Sequence, residues 1–381
     1  MLKKVKIAVF FIFVLFFFIL VGTFNYLVDF HHVLRKAEYM RLLIVPDNLI
    51  HFCIERHKNI KNRTLLVGFS EPEICLGDKN YQKKFFNQLF VLNVNYINLY
   101  DYLEHYLNLH PETKVVKFFV SYNPFFIYHN TRKSYTTTGY KDKIFYLLFS
   151  KYVTGLNFEY LCFLTKNKIM SSKYTPKYIS QRKFIMKYHP DYLPALPIKI
   201  FEEKKKENFE YIKKILDLLK SKNIDYEIII PQYNAIYLAA QQELGVYDKT
   251  EEIKRFLIDN ANVVYDFAYV NRLTKTKLKG GENYIYMFPD HPNENFGYKL
   301  YKFLFFRKDS DDSIYIKLTP QNIDFQLKKE KKLLDEYMNE NREYVKSYMN
   351  SNNREKIEYF DTRKMPKEFF DDKEYIERYL N

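Results

Sequence analysis

Between residues 63 and 307, short apolar runs alternate with longer amphipathic stretches, and this rhythm limits the fold more than any other feature of the chain. Leu65–Val67, Leu89–Val94, Val115–Ser121, Glu227–Ile230 and Val263–Phe267 are brief apolar segments bounded by polar residues, the pattern of buried strands. Helical periodicity occupies Asn98–Leu109, Glu203–Ser221, Asn234–Glu243, Glu251–Asn260 and Glu294–Phe306. Such alternation predicts an α/β domain with a mostly parallel sheet covered on both faces.

The rhythm breaks at about 128–197, an aromatic stretch with amphipathic pieces such as Lys141–Leu161. It reads as an insertion over the carboxyl edge of the sheet, with three roles open to it: a water-excluding lid, a docking surface for a membrane partner, or a structural subdomain. Beyond Arg307 the composition shifts. Gln326–Met349 is dense in Lys and Glu, with Leu327, Leu333, Leu334 and Tyr337 near helical spacing. Residues 308–381 are therefore expected to form a charged helical extension, lying against the domain or a partner and carrying no chemistry.

The N-terminus offers a second strong signal. Lys3, Lys4 and Lys6 precede an unbroken apolar run, Ile7–Val21, and Gly22–Val28 extends it to the ~20 residues that cross a hydrocarbon core. No small-x-small cleavage site is evident, and the run is long for a signal-peptide core. Residues 1–28 are expected to be a short cytoplasmic stub and an uncleaved single-pass anchor. The flanking lysines put its start inside the cell, with a linker at 29–62 and the main domain outside the inner membrane.

A formal charge of +14 raises the question of an anionic partner. The lysines are dispersed and no nucleic-acid motif is present, so nucleic acid is not expected. Cys53, Cys75 and Cys162 supply no C-x-x-C, hence neither a disulfide framework nor a metal knuckle, although one bridge stays open. Gly280–Gly281 lacks the phosphate-loop pattern. His31, His32, His105 and His110 read as structural. No metal constellation and no cofactor are expected.

Chemistry is best sought in Arg63–Cys75, RTLLVGFSEPEIC. Ser70 follows the first strand, and ligands of parallel α/β sheets bind outside the carboxyl ends of strands. That position suits a nucleophile. It equally suits a helix cap, because Ser70 and Glu73 make an S-x-x-E capping box with Pro72 in the first turn.

Tyr286–Leu300, YMFPDHPNENFGYKL, closely resembles the final block of SGNH (GDSL-like) hydrolases, with His291 followed by Pro-Asn and a helix start. The order of blocks is similar too: Ser70 in VGFS after the first strand, and Asn123 in VSYNP resembling the third-block asparagine. Phe24–Val33 (FNYLVDFHHV) and Ile229–Ala235 (IIPQYNA) look like segments of membrane-anchored bacterial members. The resemblance spans about Met1–Arg307 and implies a three-layer, flavodoxin-like sheet acting in O-acylation or D-alanylation of cell-envelope polymers.

The resemblance also assigns roles. Ser70 would attack an acyl carbonyl, and His291 would take its proton and return it to the leaving alcohol. The Asn123 amide with a main-chain N–H near Asn95 would hold the oxyanion. Implied partners are an envelope glycan and a polytopic acyl-transfer protein in the membrane. Two departures stand out. The usual D-x-x-H places Asp three residues before the histidine, where this chain has Phe288; Asp290 is adjacent instead, and a carboxylate from elsewhere such as Asp266 is an alternative. The second block, NVNYIN at Asn93–Asn98, lacks its glycine.

Blander roles stand beside each of these: a loop histidine with Asn293 capping the next helix, and a turn asparagine before Pro124. Three functions follow. The chain is a serine-dependent acyl esterase or O-acyltransferase, a degenerate relative that binds glycan or its partner without turnover, or a structural envelope protein in which Ser70 only caps.

Overall fold

The computed structural model describes residues 2–28, 63–69, 87–90, 96–126, 198–261, 263–276, 286–288, 291–292, 303–304 and 314–350, with single positions 54, 148 and 300. The chain divides into two compact units, one of Met1–Ile60 and Arg132–Pro190, the other of Lys61–Thr131 and Asp191–Asn381.

In the first unit, helix α1 runs Leu2–Val28. Its side chains from Ile12 to Leu20 are exposed except for half-buried Val14, although nearly all are large and apolar. Buried Asn25 donates from Nδ2 to the Leu148 carbonyl at 2.6 Å. Among the described residues no helix is long and apolar enough to cross a membrane. The expected insertion at 128–197 otherwise lies outside the described residues.

The second unit is built on a six-stranded sheet in the order β2-β1-β3-β4-β5-β8. Its strands are β1 (Thr64–Gly68), β2 (Asn87–Phe90), β3 (Val115–Phe119), β4 (Asp225–Ile230), β5 (Val264–Asp266) and β8 (Ile316–Leu318). The first five are parallel, and β8 closes one edge antiparallel to β5. The five parallel strands run in the order 2-1-3-4-5, and a mostly parallel α/β sheet is what the alternation predicted. Leu65, Leu66, Val67, Phe118, Phe119 and Ile228–Ile230 are all fully buried. Strands covered on both faces read as continuous apolar runs, which is why they were visible in the sequence. One polar pair interrupts the core: Lys117 and Glu227 are register partners on β3 and β4, and their side chains meet at 2.6 Å. Opposite charges directly across a ladder oppose any slip of these two strands.

The steps β2→β3, β3→β4 and β4→β5 cross the sheet in one direction. Right-handed crossovers therefore bring their helices to one face. These are α2 (Tyr96–Leu109), α4 (Ile198–Ser221) and α6 (Tyr247–Ala261), and α4 packs against both α2 and α6. The four-residue α3 (Asn123–Phe126) follows β3, and α5 (Ala235–Glu243) follows β4 with the Asn234 side chain accepting from Ile236 N–H as its cap. Asn223 at the end of α4 and Gly245 at the end of α5 adopt positive φ, the left-handed conformation that closes a helix terminus.

Several boundaries differ from the sequence reading. The second strand begins at Asn87, two residues before the expected Leu89, where pairing with Leu65 sets its start, and residues 91–94 of the expected strand lie outside the described residues. The fifth is shortened to Val264–Asp266, since Asp266 accepts the Ala268 N–H at 2.7 Å and turns the chain. The helix expected at Glu294–Phe306 lies mostly outside the described residues. Beyond Arg307, β8 joins the sheet and α7 (Ile323–Glu340) packs on α5, α6 and β8, followed by α8 (Arg342–Asn350).

Candidate functional site

In this strand order the switch point lies between β1 and β3, where chain segments leave the sheet in opposite directions and open a crevice at the carboxyl ends. A buried aromatic cluster occupies that position. Phe69, directly after β1, meets Tyr96 edge-to-face at 4.9 Å. Tyr96, the first residue of α2, also contacts Phe118 of β3 and Phe125 of α3, with ring centroids 6.3 and 5.7 Å away. Its hydroxyl donates to the Ser121 carbonyl at 3.1 Å.

The segment after β3 is also held from its other side. The Tyr122 N–H donates to the Tyr233 hydroxyl at 2.9 Å, and the two rings stack with centroids 5.0 Å apart. Phe125 N–H donates to the Tyr122 carbonyl, and Asn208 of α4 donates from Nδ2 to the Pro124 carbonyl at 3.1 Å. Residues 121–125 therefore form a turn held by α2, α4 and the segment after β4.

The predicted site residues stand beside this clamp in sequence. Ser70 follows Phe69, Asn95 precedes Tyr96 and Asn123 follows Tyr122, so the immediate neighbours of all three are drawn together. Ser70, Asn95 and Asp290 themselves lie outside the described residues. Asn123 opens α3, its backbone alone being described. His291 opens β7 (His291–Pro292), paired antiparallel with β6 (Tyr286–Phe288), and its direct register partner is Phe288. The position three before the histidine is thus also its direct cross-strand partner, and in this chain that residue is phenylalanine.

Asp266, the alternative carboxylate, has other company. Its Oδ2 lies 2.6 Å from Lys254 Nζ of α6, and its Oδ1 accepts from Ala268 N–H. Lys254 also donates to Glu330 Oε2 of α7, and all three side chains are at most 1% exposed. Burial pulls the Lys254 ammonium down, but Asp266 and Glu330 together outweigh it and hold the lysine well above its ordinary range. Burial, only partly offset by Lys254, pushes the Glu330 carboxyl up to about 8. Burial likewise keeps the Tyr122 phenol protonated far above its usual range, in the field of the same three charges. The Tyr122 hydroxyl, Gln232 amide and Glu330 Oε1 have no hydrogen-bond partner among the described residues.

The sequence reading missed this cluster, although its signal was present. Lys254 falls on the stripe Tyr247, Thr250, Lys254, Leu257, and Glu330 on the stripe Ile323, Leu327, Glu330, Leu334, Tyr337. A lysine and a glutamate each in a core register of a helix is a complementary pair awaiting a fold. His110, read as structural, is buried at the amino edge of β3, stacked on Tyr106 at 4.2 Å with Nδ1 3.0 Å from Glu112 Oε1. Among the described residues no group of three or more His, Cys, Asp or Glu is arranged to hold a metal ion. The chain matches no family model and no curated protein.

Proposed function

We propose that this chain is a membrane-anchored, extracytoplasmic acyl esterase or O-acyltransferase of the SGNH type, acting on acyl esters of a cell-envelope glycan. One observation carries the reading: Phe69, Tyr96 and Tyr122–Phe125, the neighbours of Ser70, Asn95 and Asn123, meet at the switch point of a 2-1-3-4-5 parallel sheet. Those three residues would supply the nucleophile and the oxyanion donors, and His291 the general base, with Asp290 as the carboxylate nearest to it in sequence. The anchor rests on the sequence of residues 1–28, in which the lysines at 3, 4 and 6 precede the apolar run Ile7–Val21. A polytopic acyl donor in the same membrane fits a transferase.

A second reading is favoured by a specific observation. Phe288 sits opposite His291, where it cannot orient or charge-stabilise the imidazole, and this fits a relative that binds glycan or a membrane partner without turnover. The full chain in detergent, assayed on a chromogenic acyl ester and with a fluorophosphonate probe, separates the two. Turnover and stoichiometric labelling that both disappear in Ser70→Ala establish the enzyme. Rates equal to those of Ser70→Ala, with no labelling, leave the binding protein.

A further inference from the structure

The buried cluster outside the proposed catalytic site holds one amine and two carboxyl groups, each at most 1% exposed. Full ionisation would leave one net negative charge sealed from water. A buried carboxyl group with no charge to balance it keeps its proton instead. The surroundings indicate where that proton resides. Asp266 has two donors close to it, the Ala268 N–H at Oδ1 and the Lys254 ammonium 2.6 Å from Oδ2. Glu330 offers Oε2 to Lys254, and its Oε1 has no acceptor or donor partner among the described residues.

We propose that Lys254, Asp266 and Glu330 form a one-proton latch: with Glu330 protonated, α7 is fastened to α6 and β5, and removal of the proton releases α7 from the sheet unit. The balance is simple, since Glu330 gives its proton to solvent and the cluster passes from neutral to singly negative. Lys254 then faces two anions and neutralises one. The remaining charge stays buried unless α7 moves outward and hydrates it.

Titratable groups from several packed elements surround the cluster. From α6, Tyr247 and Glu251 face Glu330 alongside Lys254; from β5, Asp266 does; and Tyr122, after β3, lies in the same field. Burial raises both Tyr247 and Glu251, so the phenol is neutral throughout and the half-buried Glu251 adds to the pressure against a second negative charge. The charged side chains of α5, β8 and α8 (Glu243, Lys317, Arg342, Glu343 and Lys346) are exposed. The Glu330 carboxyl is raised from 4.5 to about 8 by burial, so the latch's contribution is complete below the unfolded value and is lost as pH climbs through the folded one. Mildly alkaline conditions release it, and acidic ones do not.

The test uses the full chain in detergent. Infrared spectra should show a protonated-carboxyl band at neutral pH that vanishes on mild alkalinisation and is absent from Glu330→Gln. Asp266→Asn leaves one cation and one anion, so Glu330 should ionise and the band should be missing already at neutral pH. Hydrogen exchange should report loss of α7 protection relative to α2 across the same alkaline step in the wild type, but not in Glu330→Gln. A wild type without a carboxyl titrating in that window, or with α7 protection unchanged through it, overturns the latch even if neither variant folds.

Discussion

Replacing Lys254 by Met keeps the length and packing of the side chain and deletes the cation that Asp266 and Glu330 share. The cost can be worked from the remaining charges. With Glu330 protonated, the buried Asp266 carboxylate loses the cation that lies 2.6 Å from it. Removing one partner of a buried ion pair costs ~3–5 kcal/mol. In a unit of this size each kcal/mol lowers Tm by about 2–4 °C, so the expected drop is roughly 6–20 °C. Thermal unfolding in detergent measures it. A Lys254→Met chain within about 1 kcal/mol of wild type at neutral pH would refute a desolvated, ion-paired cluster.

Two further outcomes probe the candidate site. Tyr96→Phe removes the hydroxyl bond to the Ser121 carbonyl and should lower stability by about 0.5–1.5 kcal/mol, while slowing fluorophosphonate labelling of Ser70 because the turn bearing Asn123 is less constrained. Unchanged labelling would separate the clamp from the chemistry. Phe288→Asp puts a carboxylate opposite His291 and should raise ester turnover, by up to the ~10⁴ that a triad carboxylate contributes, in a variant that still loses all activity with Ser70→Ala. No gain in kcat would show that this register does not bring position 288 to the imidazole.

The sheet was legible because its strands are buried on both faces, so Leu65–Val67, Val115–Phe119 and Glu227–Ile230 stand out as apolar runs whatever the tertiary context. What failed was anything set by a partner. Asn87 and Gln88 do not look strand-like, yet the ladder to β1 takes them. The three-residue β8 and the β6–β7 ribbon are too short to impose a period. Lys254 and Glu330 are separated by 76 residues, and each alone reads as an ordinary solvated charge. Only when the helical stripe is read strictly, with a charge in the core register treated as a demand for a counter-charge, does the pair become visible in advance.

The cluster also narrows the proposed chemistry. A triad carboxylate works by presenting uncompensated negative charge to an imidazolium as it forms. Asp266 is fully buried, its Oδ1 holds the Ala268 N–H, and its charge is already offset by Lys254 at 2.6 Å. An anion so neutralised has little left to offer a histidine, even one brought near. With Asp266 committed to holding α7 and Phe288 standing opposite His291, the catalytic reading rests on Ser70 and His291 as a pair, with Asp290 the remaining acidic neighbour in sequence. On the proposed reading the pair would work at the modest rate of a dyad, and a slow esterase made faster by a carboxylate at position 288 is the behaviour expected of it.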